Sequence, residues 1–122
     1  MLEIINNAMT ALGLNYAFME WKDEIVYPYF IGEYQETEPL NEDGMQDIDF
    51  ILTGYSRSTW AALEEAKEEI RNYFNMVSGK TVIAADGAAV AIFYANSFVV
   101  PTGDAELKKI QINLRVKKWG VN

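Results

Sequence analysis

The chain has 122 residues, half of them hydrophobic, and a formal net charge of −8 at pH 7. This length and composition predict one domain over residues 1–122 with a real core, and they exclude wholesale disorder. Histidine and cysteine are both absent, which removes the commonest general base, the commonest metal ligand and any thiolate or disulfide site. We therefore expect a protein that is not an enzyme and that binds no cofactor or metal.

The charges are unevenly distributed along the chain. Residues 1–56 hold eleven acids and one base, a sum of −10, whereas residues 81–122 hold five bases and three acids, a sum of +2. Without a basic patch, direct sequence-specific binding of nucleic acid is not expected. The N-terminus does not resemble a signal peptide, and no apolar run is long enough to predict a membrane span. The acids serve either solubility or self-association between oppositely charged regions.

The first half of the chain predicts one helix followed by three strands. Residues 2–12 have apolar side chains at helical spacing, and Gly13 is well placed to end that helix. Strands are expected at residues 16–22, 25–37 and 45–56, with Pro28 at a strand start or on an edge. Residues 38–44 have the composition of a loop. The second and third strands and this loop form a predicted acidic hairpin.

The second half predicts a long amphipathic helix followed by three more strands. Ser58 or Thr59 can cap the helix, which carries an apolar stripe from Trp60 to Val77 and ends at residues 78–79. Residues 81–85 and 88–98 flank Asp86-Gly87, a strong hairpin signal. Residues 109–117 alternate between apolar and polar residues, which predicts a central strand with one dry face. The predicted fold is therefore α+β: a mostly antiparallel sheet of about six strands with two helices packed on one face.

One hydrophobic run does not alternate. Residues 89–95 are all apolar, and a continuous apolar run is typical of a strand that is covered on both faces. Two helices can cover only one face of such a sheet. The other face is then covered either by the sheet folding over itself or by another subunit, because exposed apolar patches usually mark interaction surfaces.

Several sequence segments of the chain are similar to those of tail terminator and tail-completion proteins. These are minor structural proteins of long-tailed phages and of prophages in Gram-positive bacteria. The order helix, acidic hairpin, amphipathic helix, hairpin and long final strand also resembles these proteins. The segments are Tyr27-Pro28-Tyr29-Phe30-Ile31-Gly32-Glu33-Tyr34-Gln35-Glu36, Val100-Pro101-Thr102-Gly103-Asp104-Ala105-Glu106-Leu107 and Ile110-Gln111-Ile112-Asn113-Leu114. The resemblance implies a homo-oligomeric ring, with a hexamer as the expected form, that contacts tail-tube and neck proteins. It also implies location in the virion, after assembly in the host cytoplasm.

Combined with the charge distribution, this resemblance leads to a hypothesis for the subunit interface. Bases of the C-terminal strand are expected to meet acids of the hairpin in a neighbouring copy, beside two aromatic residues of the apolar run. The residues in this hypothesis are Glu33, Glu36, Asp47, Asp49, Phe93, Tyr94, Lys109, Arg115 and Lys117. Two alternatives remain at this point: a small acidic phage-encoded inhibitor that mimics nucleic acid, and a small-ligand domain or metal-dependent enzyme.

Overall fold

The computed structural model describes residues 2–20, 24, 26–36, 45–57, 59–74, 80–83 and 89–119. These residues form two helices and six strands in the predicted order, which confirms the α+β class. In chain order the elements are α1 (Leu2–Ala11), β1 (Asn15–Phe18), β2 (Tyr29–Glu36), β3 (Met45–Ser56), α2 (Trp60–Tyr73), β4 (Lys80–Ile83), β5 (Ala89–Val100) and β6 (Lys108–Trp119). The predicted loop at 38–44, the helix end at 78–79 and the turn at 86–87 lie outside the described residues.

The described strands form one sheet in the order β1-β2-β3-β6-β5-β4. The C-terminal strand β6 is central, as its alternation predicts, and pairs antiparallel with β3 on one side and β5 on the other. The first pair differs from the expectation, because β1 runs parallel to β2 and the sheet is mixed. Asn15 pairs with Tyr29, so β1 and β2 start at the same end of the sheet, an arrangement that a tight hairpin turn does not allow.

Helix α1 ends in a glycine cap, as its sequence predicts. Gly13 has a φ of +71°, in the left-handed region that glycine adopts without steric cost. The Gly13 N–H donates to the Thr10 carbonyl, and the Leu14 N–H donates to the Met9 carbonyl, each at 3.0 Å. This Schellman arrangement satisfies two of the carbonyls at the helix end and turns the chain into β1.

Helix α2 begins at the predicted cap. The Thr59 side-chain oxygen accepts a hydrogen bond of 3.4 Å from the Ala62 N–H, which satisfies one of the unpaired donors of the first turn. Leu63, Ala66 and Ile70 are buried along one side of the helix. The predicted apolar stripe is therefore buried from Leu63 to Phe74, whereas Trp60 is 41% exposed and Val77 lies outside the described residues.

The core lies between the two helices and one face of the sheet, which we call the helix face. Alternate residues of β3 and β6 supply its centre, as period-two strands must. Phe50 and Leu114 are paired across these strands, and both are buried. At Gly54 the ring of Phe30 occupies the space of a side chain, since an added Cβ would lie 2.5 Å from it. The core is one continuous cluster that also includes Ile5, Met9, Ile48, Leu52, Ile92, Ile110, Ile112 and Val116.

The apolar run at 89–95 has a simpler explanation than cover on both faces. Its large side chains at Val90, Ile92 and Tyr94 point into the core. The alternate positions, which project to the other face, are Ala89, Ala91 and the partly buried Phe93. Alanines are small enough to lie beside neighbouring side chains on the uncovered face, so this run does not require a second layer. Among the described residues the sheet does not fold over itself, and both helices pack on the helix face.

Candidate interaction surface

The face of the sheet opposite the helices, which we call the open face, carries most of the predicted interface residues. Directly paired residues of adjacent strands project to the same face, so the register lays out this surface in rows. One row runs Phe93–Arg115–Asp49–Gln35, and another runs Val100–Lys109–Tyr55–Tyr29. None of the described helices or strands lies over this face.

Four of the predicted charged residues form a ladder between β3 and β6. Asp47 pairs with Lys117, and Asp49 pairs with Arg115, in the antiparallel register. The Arg115 Nε and Asp49 Oδ1 atoms are 3.9 Å apart, and both side chains are more than half exposed. The acids and bases that were expected to meet between two copies are therefore neighbours within one chain, because β6 is a central strand and its edge is occupied.

The remaining charged residues of the hypothesis are more dispersed. Lys109 places its Nζ 5.6 Å from the centre of the Tyr55 ring, a cation–π distance. Glu33 is exposed and pairs with Ile51 in the register. Glu36 is the last residue of β2 and pairs with Ile48.

The two aromatic residues of the hypothesis lie on opposite faces. Tyr94 is only 8% exposed, and its hydroxyl donates a 2.6 Å hydrogen bond to Ser97 Oγ. Its side chain belongs to the core of its own protomer, which corrects its assignment to a surface. Phe93 lies on the open face beside Arg115 and Lys117, where a shallow hollow of about 310 Å³ opens. Phe93 is therefore the aromatic residue of this pair that is available to a partner.

A group of tyrosines at one end of the open face was not singled out in the sequence. The Tyr29 and Tyr55 rings stack with centroids 5.1 Å apart, and Tyr27 lies 5.4 Å from Tyr29. Arg57 donates a 3.3 Å hydrogen bond from Nε to the Tyr27 hydroxyl, and its guanidinium lies 3.6 Å from Asp104. We call Tyr27, Tyr29, Tyr55, Arg57 and Lys109 the tyrosine cluster. The sequence signal was the tyrosines at 27 and 29, but Tyr55 joins them only through strand pairing.

The environment raises the pKa of two members of this cluster, Tyr29 and Arg57. Partial burial, followed by the nearby Tyr27 and Tyr55 hydroxyls, raises the pKa of Tyr29. The hydrogen bond to Tyr27 is the main cause that raises the pKa of Arg57. The cluster therefore presents aromatic rings beside basic side chains, a surface suited to aromatic groups of a protein partner.

Tyr16 on the helix face is a separate polar feature. Its hydroxyl is buried and has no hydrogen-bond partner among the described residues. Burial raises its pKa from 10.0 to about 12. The hydroxyl lies next to Gly32, where an added Cβ would be 2.7 Å from it. A buried hydroxyl without a hydrogen-bond partner is expected to affect folding stability.

Two other features are absent from the described part of the chain. Its acidic side chains do not form a group of three or more that could hold a metal ion. Neither described helix is long and apolar enough to cross a membrane.

Comparison with known proteins adds no identification. No protein-family model matches the chain, and no curated protein is similar enough to be reported as a relative.

Proposed function

We propose that this chain is a non-enzymatic phage virion component, a tail terminator or tail-completion subunit. It forms a homo-oligomeric ring at the head-proximal end of the tail and joins the tail to the neck. The observation that carries the proposal is the open face, where aromatic and aliphatic side chains lie beside paired charges with no described element above them. Such a surface is more typical of a subunit interface than of an active site.

The composition of the open face supports a protein partner. Tyrosine and arginine are enriched in protein interfaces and dominate their energetic hot spots. Here Tyr29 and Tyr55 are stacked and already ordered by the sheet, so binding would cost little side-chain entropy. Phe93 supplies a second anchor at the other end of the face, beside a hollow. Two anchors separated along one sheet can fix the orientation of a neighbouring subunit.

The charge ladder has a directional role in this proposal. Exposed ion pairs contribute at most about 1 kcal/mol each, and Asp49 is already next to Arg115 in its own chain. The ladder therefore selects the register of a neighbouring copy, whose acids and bases can alternate with those of the first. The apolar and aromatic contacts supply most of the free energy of association.

The phage assignment rests on the sequence resemblance, and each of its three segments contributes to the sheet. Residues 27–36 include β2, residues 100–107 lead into β6, and residues 110–114 lie within β6. Tyr29 and Val100 belong to the same row of the open face. The segments that resemble tail-completion proteins thus contribute to the surface that we assign to assembly.

The acidic-inhibitor alternative is less well supported by the same geometry. A mimic of nucleic acid needs carboxylates that present an uncompensated negative row. Asp47 and Asp49 instead face Lys117 and Arg115 across the strand pair. This arrangement reduces the negative potential of the open face and favours assembly over mimicry.

The experiment combines a tail-tube assay with one pair of variants. Tail-tube subunits from the same phage or prophage are assembled with and without the protein, and tube lengths and ends are measured by electron microscopy. We expect tubes of uniform length with a ring at one end only when the protein is present. Tubes of unchanged length and ends would contradict the terminator role.

A Phe93→Lys variant tests whether the open face carries the assembly. It places a charge at an open-face anchor and is expected to abolish ring formation and the effect on tube length. Leu2→Lys is the matched control, since Leu2 is an exposed apolar residue of the helix layer. If both variants assemble normally, the open face is not the ring interface.

A further inference from the structure

The outer edge of β5 is incompletely paired. Strand β5 pairs with β6 along its length, apart from a bulge at residue 95, whereas β4 pairs with it only from Ala89 to Ile92. Among the described residues, no strand lies beside the outer edge of residues 96–100. An unpaired strand edge presents backbone donors and acceptors that can bind another extended segment.

A hydrogen bond at the start of this edge shows which way the backbone N–H and C=O groups of β5 point. The Tyr94 N–H donates to the Phe74 carbonyl at 3.1 Å, so the backbone of Tyr94 points away from β6. Along an antiparallel strand, the backbone N–H and C=O groups of successive residues point alternately to the two neighbouring strands. The extra residue of the bulge shifts this alternation by one position. After the bulge, the backbone groups of Ser97 and Val99 therefore point to the outer edge.

The side chains along this edge are suited to an uncharged strand. Phe98 is 48% exposed and Val99 is 52% exposed. No charged residue occurs between Ala89 and Val100, although natural proteins commonly protect a strand edge with charged side chains. The bulge and Pro101 bound this segment of five residues, 96–100, which has no described strand beside its outer edge. A ligand of this edge must be short, extended and uncharged, and the edge segment itself has these properties.

We propose that a second copy of this chain pairs with the first through this edge, antiparallel and around a two-fold axis at Phe98. In this register Ser97 of each copy pairs with Val99 of the other, which forms four backbone hydrogen bonds. The two Phe98 residues face each other as a non-hydrogen-bonded pair, in which the Cα atoms lie about 4.5 Å apart. The contact joins two sheets into one and places the two Phe98 rings together on the open face.

This contact goes beyond the proposed function and is separable from it. A two-fold contact uses the same patch on both copies and closes after two subunits, whereas a single ring needs a head-to-tail contact between different patches. The ring contact is assigned to the open face around Phe93. Phe93→Lys is therefore expected to abolish rings and preserve the β5 pair, and Phe98→Lys is expected to do the reverse.

The absence of native cysteine allows a direct test of the register by disulfide trapping. Phe98→Cys is expected to form a covalent dimer in high yield on mild oxidation, because facing non-hydrogen-bonded positions bring Cβ atoms close enough for a disulfide. Asn96→Cys and Val100→Cys should each form no disulfide-linked dimer when oxidised alone. Their equimolar mixture should cross-link, because this register places residue 96 opposite residue 100. Ile83→Cys is the control for random collision, since Ile83 is 67% exposed on the adjacent strand β4.

Sedimentation of the unmodified chain provides the second measurement. A dimer is expected to accumulate as the concentration rises from about 10 μM to about 1 mM, the range that weak association requires. Phe98→Lys should abolish it without changing the circular dichroism spectrum, and Ile83→Lys should preserve it. The proposal is overturned if the chain stays monomeric throughout this range and Phe98→Cys forms no disulfide. It is also overturned if the cysteine variants cross-link equally at positions that the register does not place opposite each other. A dimer that survives Phe98→Lys also overturns it.

Discussion

The two faces of the sheet use the same strands for different purposes. On the helix face, Phe50 and Leu114 are completely or almost completely buried beneath the helices. The adjacent residues Ile51 and Asn113 lie on the open face and are only partly buried. A strand with period-two alternation can therefore stabilise a protomer with one set of side chains and offer a different set to partners. The helix face determines whether the chain folds, and in our proposal the open face determines what it assembles with.

The largest expected effect separates the faces by truncating a phenylalanine on each. Phe50→Ala should lower the free energy of unfolding by about 3–5 kcal/mol, because a large buried ring is lost and a cavity remains. Phe93→Ala should lower it by about 1 kcal/mol or less, because its ring is partly solvated in the protomer. Urea denaturation of both variants measures the difference. Equal losses would show that the open face is covered in the isolated chain.

A smaller effect should appear on the helix face at high pH. The pKa of Tyr16 is raised to about 12 in the folded state from 10.0, so the unfolded chain releases this proton first as the pH rises. Folding stability from Tyr16 is present below pH 10 and is lost between pH 10 and 12, by about 2 kcal/mol. Tyr16→Phe should remove this part of the pH dependence.

The measurement for Tyr16 is chemical denaturation of both proteins from pH 9 to 12. Other tyrosines and lysines titrate in the same range, so the informative quantity is the difference between the parent and Tyr16→Phe. A difference that stays constant across the range would contradict a buried, proton-retaining hydroxyl.

The smallest effect concerns the charge ladder of the open face. A double-mutant cycle with Asp49→Asn and Arg115→Gln should give a coupling free energy below about 1 kcal/mol, which decreases further at high salt. Thermal denaturation at low and high ionic strength provides the four stabilities. A larger, salt-independent coupling would mean that this pair is shielded from solvent.

Local patterns in the sequence were sufficient to predict most elements and their order. The alternation at 109–117 identifies the central strand, Gly13 ends α1, and Thr59 caps α2, because each depends on contacts within a few residues. The sequence did not predict that β1 runs parallel to β2. Strand direction depends on the path of a connection, and no short-range signal specifies that path.

The candidate surface was less predictable than the elements. The sequence indicated Asp47, Asp49, Arg115 and Lys117 as charged interface residues, but only the register makes them neighbours in one chain. Tyr55 could not be grouped with Tyr29 before β2 and β3 were paired. The apolar run at 89–95 suggested cover on both faces, yet Ala89 and Ala91 are small enough that one helix layer suffices.

By itself the sequence determined the α+β class, the strong amphipathic helix, the central C-terminal strand and the absence of histidine and cysteine chemistry. These properties follow from composition and from periodicities that act over a few residues. Only the tertiary structure decided which face each strand residue occupies beside its neighbours, and which part of β5 has no described strand beside its outer edge. Strand pairing joins residues that are far apart in the chain, so the surface that it creates cannot be read from any single stretch.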